Sequence, residues 1–266
     1  MNRPTSNLKQ LAAFFILAFV IGWLAWIPIL ASQEYPKWSA FVFLFSPAIS
    51  ALLVAGFTNK LAGVKDILKR YLLWKFHVKW YLLAFLLIPV TFLLAVLILF
   101  RGDSKTLWTG LPWYFICASF LFLMFITSGE EIGWRGFALP RLQSILPNPL
   151  LASIVLGVIW GAWHLPQYFV PGQTNIPVIP FLLFIAGLSI IYTIIFNNTQ
   201  GSLLFAVILH ASTDIVPRII QIANFAPELW WLIAGLIWIS AIILYIIVKA
   251  STLNKVVNYS QPHSSI

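Results

Sequence analysis

Two adjacent glutamates and an arginine stand out in a chain with few charged residues. Glu130, Glu131 and Arg135 follow an uncharged run, Thr106 to Gly129, that is apolar enough to lie in lipid. A second stretch, from Arg141 to Asp214, carries no charged residue between its ends. Charged side chains at membrane depth cost about 2.5–3.5 kcal/mol each on insertion scales, so they mark functional sites. The pattern predicts a reactive polar site inside a membrane.

The spacing of the first cluster separates its two carboxylates. On a helix Glu131 and Arg135 are i, i+4 neighbours and can form an ion pair. Glu130 points about 100° away, because a helix has 3.6 residues per turn. One carboxylate is therefore expected to be held ionised by the arginine, while Glu130 faces a cavity as a candidate general base.

Two later motifs add imidazole and carboxyl groups. His210 and Asp214 are i, i+4 neighbours, and His164 lies in a segment with small residues that allow helices to approach closely. With 1.5 Å rise per residue, Glu131 and His210 each lie about 13 Å from the cytoplasmic helix ends and His164 about 22 Å. We therefore expect these residues to converge on one site.

Each of these features also has a purely structural interpretation. A lone intramembrane histidine is commonly a hydrogen-bonded packing residue. A Glu–Arg pair can serve only to hold helices together. A wholly structural role for the complete set is a poor explanation, because each polar side chain carries its own insertion cost.

The composition indicates a membrane protein. Hydrophobic residues make up 61% of the 266 residues and charged residues 9%, whereas soluble domains have about 25% charged residues. The net charge of +9 does not indicate a nucleic-acid partner, because the basic residues flank apolar spans. The partners expected are the lipid bilayer and a peptide or membrane-protein substrate. The single cysteine, Cys117, excludes an intrachain disulfide and a Cys-rich metal site.

The fold class predicted is an all-α polytopic transmembrane bundle of about eight spans, since about 20 apolar residues cross a bilayer. Residues 1–111 would hold the first three spans and a basic cytoplasmic loop at 58–79, residues 112–220 the catalytic core, and residues 221–266 the last span and a polar tail. The spans expected lie at roughly 11–31, 38–57, 80–100, 112–139, 149–170, 179–197, 201–220 and 229–249.

Basic residues favour cytoplasmic loops and thereby predict the orientation. Six of the 16 Lys and Arg residues lie between Lys60 and Lys79, in a segment whose apolar periodicity also predicts an amphipathic interfacial helix. With Lys249 and Lys255 near the other terminus, we expect a multi-pass protein of the cell (inner or plasma) membrane. Both termini would be cytoplasmic, and the catalytic pocket would open toward the cytoplasm.

The order of the motifs resembles a known family. Glu130-Glu131-x-x-x-Arg135, then Trp160-x-x-x-His164, then His210-x-x-x-Asp214 are similar to the motifs of the CPBP family. These are the CAAX protease and bacteriocin-processing proteins, also called Abi, which are intramembrane proteases related to type II CAAX prenyl endopeptidases. The resemblance covers about residues 112–220.

The resemblance implies roles for individual residues. The residues at the positions of Glu130 and His164 would activate the attacking water, and those at His210 and Asp214 would stabilise the oxyanion. Trp160 stands where the family usually has Phe, and Asp214 where it usually has Asn. An ionised Asp cannot donate a hydrogen bond to an oxyanion, so Asp214 would have to be protonated or bind a cation.

A metal requirement stays open at this point. Glu130, His164 and His210 supply one carboxylate and two imidazoles, a set suited to catalytic Zn²⁺ or another divalent ion. The chain has no His-Glu-x-x-His motif, however. Family members are often called metalloproteases, yet a glutamate/histidine mechanism without a metal is equally consistent with these residues, and we favour it slightly.

The function predicted is an intramembrane endopeptidase that hydrolyses a membrane-associated peptide or protein. One alternative is a proton- or cation-coupled transporter, since such residues also mark ion pathways; the absence of a repeat between the two halves argues against it. Another is a non-hydrolytic immunity or binding protein of the same fold, which would keep the same polar residues.

Overall fold

The computed structural model describes residues 3–32, 36–101, 109–146, 148–170, 174–220 and 227–248. Its elements are helices: α1 (Arg3–Leu24), α2 (Ile27–Ser32), α3 (Lys37–Leu68), α4 (Val78–Leu99), α5 (Trp113–Gly133), α6 (Leu139–Ile145), α7 (Pro149–Trp163), α8 (Val178–Asn198), α9 (Leu203–Ile219) and α10 (Pro227–Val248). Short 3₁₀ turns follow α3 (Lys69–Leu72) and α7 (Leu165–Phe169), and a π-helical turn (Trp134–Ala138) joins α5 to α6. The predicted all-α bundle is confirmed.

The membrane spans match the apolar segments of the sequence. Within the described ranges, seven helical stretches are long and apolar enough to cross a membrane. The eighth predicted span is α9, which has 17 residues and is apolar apart from the polar residues of its motif. The Lys249, Lys255 and 258–266 part of the predicted tail lies outside the described residues.

Two helices form the centre of the bundle. In α8, 78% of the most apolar 18-residue window is buried, compared with 28–50% in the other candidate spans. Helix α8 packs between α7 and α10, and α9 packs against α4 and α5. The His210-x-x-x-Asp214 motif therefore lies on a helix shielded from lipid by its neighbours, which is where an ionisable side chain is least costly.

Glycines bring the helices that carry the glutamates into close contact. A Cβ atom at Gly129 would lie 2.7 Å from the Leu44 carbonyl oxygen, and one at Gly133 would lie 2.5 Å from the Pro47 ring. Neither position of α5 has room for a larger side chain against α3. Small residues allow this backbone approach in membrane bundles, and here it fixes the position of the acidic pair.

The bundle has two chemically different ends. At one end, the Arg141 Nε donates to Gln10 Oε1 at 2.8 Å, and Ser202 Oγ donates to the Leu73 carbonyl oxygen at 2.6 Å. These contacts join the start of α1, α6, the segment after α3 and the start of α9. We call this the basic end, because it includes the segment from Lys60 to Lys79.

The other end, here the distal end, joins the opposite termini of the same helices. Trp23 Nε1 donates to the Trp163 carbonyl oxygen at 3.1 Å, which links the ends of α1 and α7. The Thr109 backbone N–H donates to the Ile219 carbonyl oxygen at 3.0 Å, which links the approach to α5 with the end of α9.

The predicted interfacial helix exists in a modified form. Helix α3 runs on past the apolar span to Leu68, with a kink at Lys60, whose φ is 52°. Beyond the kink, Gly63 and Ile67 are buried whereas Lys65 and Leu68 are exposed. The segment is thus helical and amphipathic, as its periodicity predicts.

Candidate active site

A cavity of about 310 Å³ contains most of the polar residues predicted from the sequence. Its walls come from α1–α2, α3, α5, α7, α8 and α9, and they combine aromatic and aliphatic side chains with a few polar ones. The lining residues are Trp26, Phe43, Leu44, Glu130, Trp160, His164, Gln167, Phe181, Phe184, Ile185, Leu188, His210, Thr213 and Asp214. An apolar pocket with a few convergent polar groups is the usual form of a binding or active site.

Three interruptions of the helices shape this cavity. Helix α1 ends before Pro28, so that Trp26 lies in a short break and lines the cavity. The π-helical turn begins immediately after the acidic pair, ahead of Pro140, which has no N–H to continue the helical ladder. Helix α7 ends at Trp163, which places His164 at its C-terminal cap. Helix breaks at membrane depth are tolerated where protein surrounds them.

Glu131 belongs to a sealed ion-pair network behind the cavity. Its Oε1 lies 3.0 Å from Arg135 Nη1 and 2.7 Å from His210 Nδ1, and both the Glu131 and the Arg135 side chains are 0% exposed. The predicted i, i+4 pair is therefore present. The contact with His210 joins the first and third motifs across 79 residues of sequence.

Two aromatic rings enclose the arginine of this network. The Arg135 guanidinium carbon lies 4.2 Å from the centroid of the Trp160 ring and 4.0 Å from that of the Tyr192 ring. A guanidinium between aromatic faces gains cation–π attraction, which is strongest where water is absent. The rings thus help to stabilise a buried cation whose one ionic partner is Glu131.

Glu130 has a different environment from its neighbour. Its Oε2 accepts a hydrogen bond of 2.7 Å from Trp160 Nε1, and the residue lines the cavity. A carboxylate has two oxygens that accept hydrogen bonds, so one indole donor leaves acceptor capacity on Glu130. That capacity is available to a molecule in the cavity.

His164 is held in one tautomer by its own helix. Its Nδ1 lies 2.9 Å from the Trp160 carbonyl oxygen. A carbonyl oxygen can only accept, so Nδ1 carries the hydrogen and Nε2 of the neutral ring is an acceptor. The ring presents a basic nitrogen to the cavity that it lines.

His210 and Asp214 form the opposite wall. Because His210 Nδ1 contacts Glu131, the free ring nitrogen is Nε2, which lies 3.9 Å from Asp214 Oδ2. This distance is too long for a hydrogen bond, so the two groups interact only through their charges. The Asp214 side chain is 41% exposed, which makes it the most accessible of the predicted site residues.

The cavity opens at the end of the bundle that was not expected. Phe43 follows the start of α3 by six residues, Phe181 follows the start of α8 by three, and His164 caps α7; all three termini lie at the distal end. The expectation that the pocket opens on the same side as the basic segment is therefore wrong. The misjudged quantity was depth, because α5, the π-helical turn and α6 form one long stretch from 113 to 145.

The proposed metal ligands do not form a metal-binding group in this arrangement. Glu130 and His210 each direct one donor atom to another side chain, Trp160 and Glu131 respectively. Within the described ranges, no group of three or more His, Cys, Asp and Glu side chains is arranged to hold an ion. The geometry does not fit the predicted Glu130, His164 and His210 set, so no chemical step below depends on a metal.

Sequence reasoning identified the residue types but missed several contacts. The donor role of the Trp160 indole was not anticipated, although a Trp in place of the family's Phe adds one N–H group. Tyr192 was not anticipated at all, because it lies in the uncharged α8 without a local motif. Gln167 and Thr213 line the cavity beside the predicted residues.

Comparisons with known proteins agree with this site. Residues 111–216 match the family model for type II CAAX prenyl endopeptidase Rce1-like proteins, a segment that includes every residue of the three motifs. Over 236 residues the chain is 27% identical to CAAX prenyl protease 2 of Methanococcus maripaludis, which covers 79% of this chain and 85% of the relative. Both findings confirm the resemblance drawn from the motifs, and they place this chain among the relatives of the type II CAAX prenyl endopeptidases.

Proposed function

We propose that the protein is an intramembrane endopeptidase that hydrolyses a peptide bond of a membrane-associated peptide or protein. The similarity to CAAX prenyl endopeptidases supports a membrane-embedded protease. The observation that carries the proposal is the pairing of Glu130 and His164 on one cavity, each with an unoccupied acceptor atom, beside the sealed Glu131.

In the first step, Glu130 and His164 activate a water molecule. The free oxygen of Glu130 takes one proton of the water, and Nε2 of His164 accepts a hydrogen bond from the other. The water oxygen then attacks the carbonyl carbon of the scissile bond. Such general-base catalysis contributes about 10²–10⁴ in rate.

Cleavage follows from the same groups. The proton held by Glu130 passes to the nitrogen of the leaving amine as the C–N bond breaks, which regenerates the carboxylate. The Trp160 indole keeps the Glu130 carboxylate in one orientation through this cycle. Proximity and fixed orientation lower the barrier because less freedom is lost in the transition state.

His210 supplies the charge that stabilises the oxyanion. When both ring nitrogens are protonated, Nδ1 donates to Glu131 and Nε2 donates toward the cavity. The carboxylates of Glu131 and Asp214 lie on either side of the ring and favour its charged form. Arg135 acts indirectly, since it holds Glu131 in the position that orients His210.

A metal-dependent alternative uses the same residues. With some rearrangement, Glu130, His164 and His210 would bind Zn²⁺, which would polarise the carbonyl and lower the pKa of a bound water. The chain's own acid–base groups suffice for the steps above. Measuring activity after exhaustive treatment with a chelator, and again with added Zn²⁺, separates the two mechanisms.

The cellular setting is part of the proposal. The seven long apolar helices suggest a multi-pass membrane protein, and we place it in the cell membrane with both termini in the cytoplasm.

The proposed activity is tested with purified protein and a library of fluorogenic peptides. Wild type should cleave a subset of the peptides, and products formed in ¹⁸O-labelled water should carry one labelled oxygen in the new carboxyl group. The Glu130→Gln variant keeps the shape of the side chain and should lose this activity. Failure of the wild type to cleave any peptide or membrane-protein substrate would favour a non-hydrolytic relative of the same fold.

A further inference from the structure

The cavity lies in the half of the bundle next to the distal end. With 1.5 Å rise per residue, Phe43 and Phe181 are only about 9 Å and about 5 Å from the distal starts of their helices. Gln167 lies beyond the distal end of α7, in the 3₁₀ turn after His164, and also lines the cavity. A molecule that enters from the distal end reaches the catalytic groups after crossing less than half of the bundle.

The basic residues are concentrated at the other end. Among the described residues, nine Lys and Arg lie at the basic end: Arg3, Lys9, Lys60, Lys65, Lys69, Arg70, Lys75, Lys79 and Arg141. Three lie at the distal end: Lys37, Arg101 and Arg218. Short loops rich in Lys and Arg stay in the cytoplasm during membrane insertion. A ratio of three to one predicts that the basic end is cytoplasmic.

We propose that the cavity receives its substrate from the non-cytoplasmic side of the membrane. The substrate class would be an exported peptide, or the outer juxtamembrane segment of a membrane protein, in place of a cytoplasmic tail. This assignment of a substrate rests on the proposed peptidase function, whereas the direction of the opening rests only on the charge distribution and the geometry.

The chemistry of the walls narrows the substrate further. Aromatic side chains surround the polar groups on the distal side, including Trp26, Phe43, Phe181 and Phe184. Apolar side chains of a peptide gain free energy when they leave water for such walls. An extended apolar segment at the outer surface of the membrane therefore fits the cavity better than a highly charged one.

Thiol labelling in intact cells tests the direction of the opening. The sole cysteine is first removed with Cys117→Ala, and single cysteines are introduced by Gln167→Cys in the cavity, Glu228→Cys at the distal end and Lys75→Cys at the basic end. Lys75 and Glu228 are exposed positions. A membrane-impermeant maleimide added outside should label the Gln167 and Glu228 variants, while the Lys75 variant should react only after permeabilisation. The reverse pattern would overturn the proposal.

A second arm distinguishes failure of the direction from failure of the function. A peptide that the purified wild type cleaves is added to right-side-out and to inside-out membrane vesicles that contain the protein. We expect cleavage at least tenfold faster in the right-side-out vesicles. Faster cleavage in inside-out vesicles would overturn the proposed direction. If labelling shows an outward cavity and no peptide is cleaved by vesicles or purified protein, the peptidase function fails while the direction stands.

Discussion

Glu130 and Glu131 are adjacent in sequence but have opposite environments. Glu131 is sealed from solvent and shares one oxygen between Arg135 and His210. Glu130 lines the cavity and accepts a single indole hydrogen bond from Trp160. The turn of about 100° between successive helical residues separates a structural carboxylate from a reactive one. Adjacent acidic residues in a membrane helix can thus divide support and chemistry between them.

The largest effect is expected where the sealed half of the pair loses its counter-ion. Arg135→Ala leaves the Glu131 carboxylate in a buried site without its cation, which costs about 3–5 kcal/mol of stability. The thermal midpoint of the purified variant in detergent should fall strongly, and activity should fall with it. Lys69→Ala is the control, because the exposed Lys69–Asp66 pair is worth about 0–1 kcal/mol. Equal midpoints for the two variants would show that the buried pair does not stabilise the fold.

The backbone contact that positions both carboxylates is expected to be less costly to disturb. Gly133→Ala places a Cβ atom 2.5 Å from Pro47, and such overpacking costs about 1–3 kcal/mol. Gly235→Ala is the matched control, since no atom lies within 4 Å of its added Cβ. Its midpoint should stay level or rise slightly, because alanine restricts the unfolded chain. A Gly133 variant as stable as the Gly235 variant would contradict the close contact between α3 and α5.

Trp160 tests the hydrogen bond that orients the cavity-facing carboxylate. Trp160→Phe restores the residue usual in the family and keeps an aromatic ring, but it removes the donor to Glu130. A hydrogen bond to a charged group is worth about 1.5–3 kcal/mol, so kcat should fall about tenfold or more with a small change in KM. Trp230→Phe changes a buried Trp on α10 and should leave kcat unaltered. Similar kcat losses in both variants would mean that Trp160 acts only by packing.

The smallest effect is expected at Asp214. If it acts as a neutral donor near His210, Asp214→Asn should keep or raise activity and extend it to higher pH, because an amide donates at every pH. If it binds a cation, the same change should lower activity, and added divalent ion should partly restore it. The pH–rate profiles of both proteins, with and without chelator, distinguish these outcomes. A chelator-sensitive wild type with an inactive Asn variant would contradict the metal-free mechanism.

Local spacing made the fold and most of the site predictable. The apolar segments matched the helices, and the i, i+4 spacing of Glu131 and Arg135 matched an ion pair. The contact of Glu131 with His210 was not predictable, because it depends on how α5 and α9 pack. The side of the cavity was also missed, since helix breaks at Trp26 and His164 and the length of the 113–145 stretch alter depth in ways that residue counting does not capture.

The division of roles between the two carboxylates is tested most directly by comparing Glu130→Gln with Glu131→Gln in one preparation. Turnover of a verified peptide and the thermal midpoint are measured for both variants and for wild type. We expect Glu130→Gln to keep a midpoint close to wild type while its turnover falls by about 10²–10⁴. Glu131→Gln should lower the midpoint clearly, because Arg135 loses its ionic partner. Near wild-type turnover by Glu130→Gln, on a substrate that wild type cleaves, would contradict the central claim that Glu130 is the reacting carboxylate.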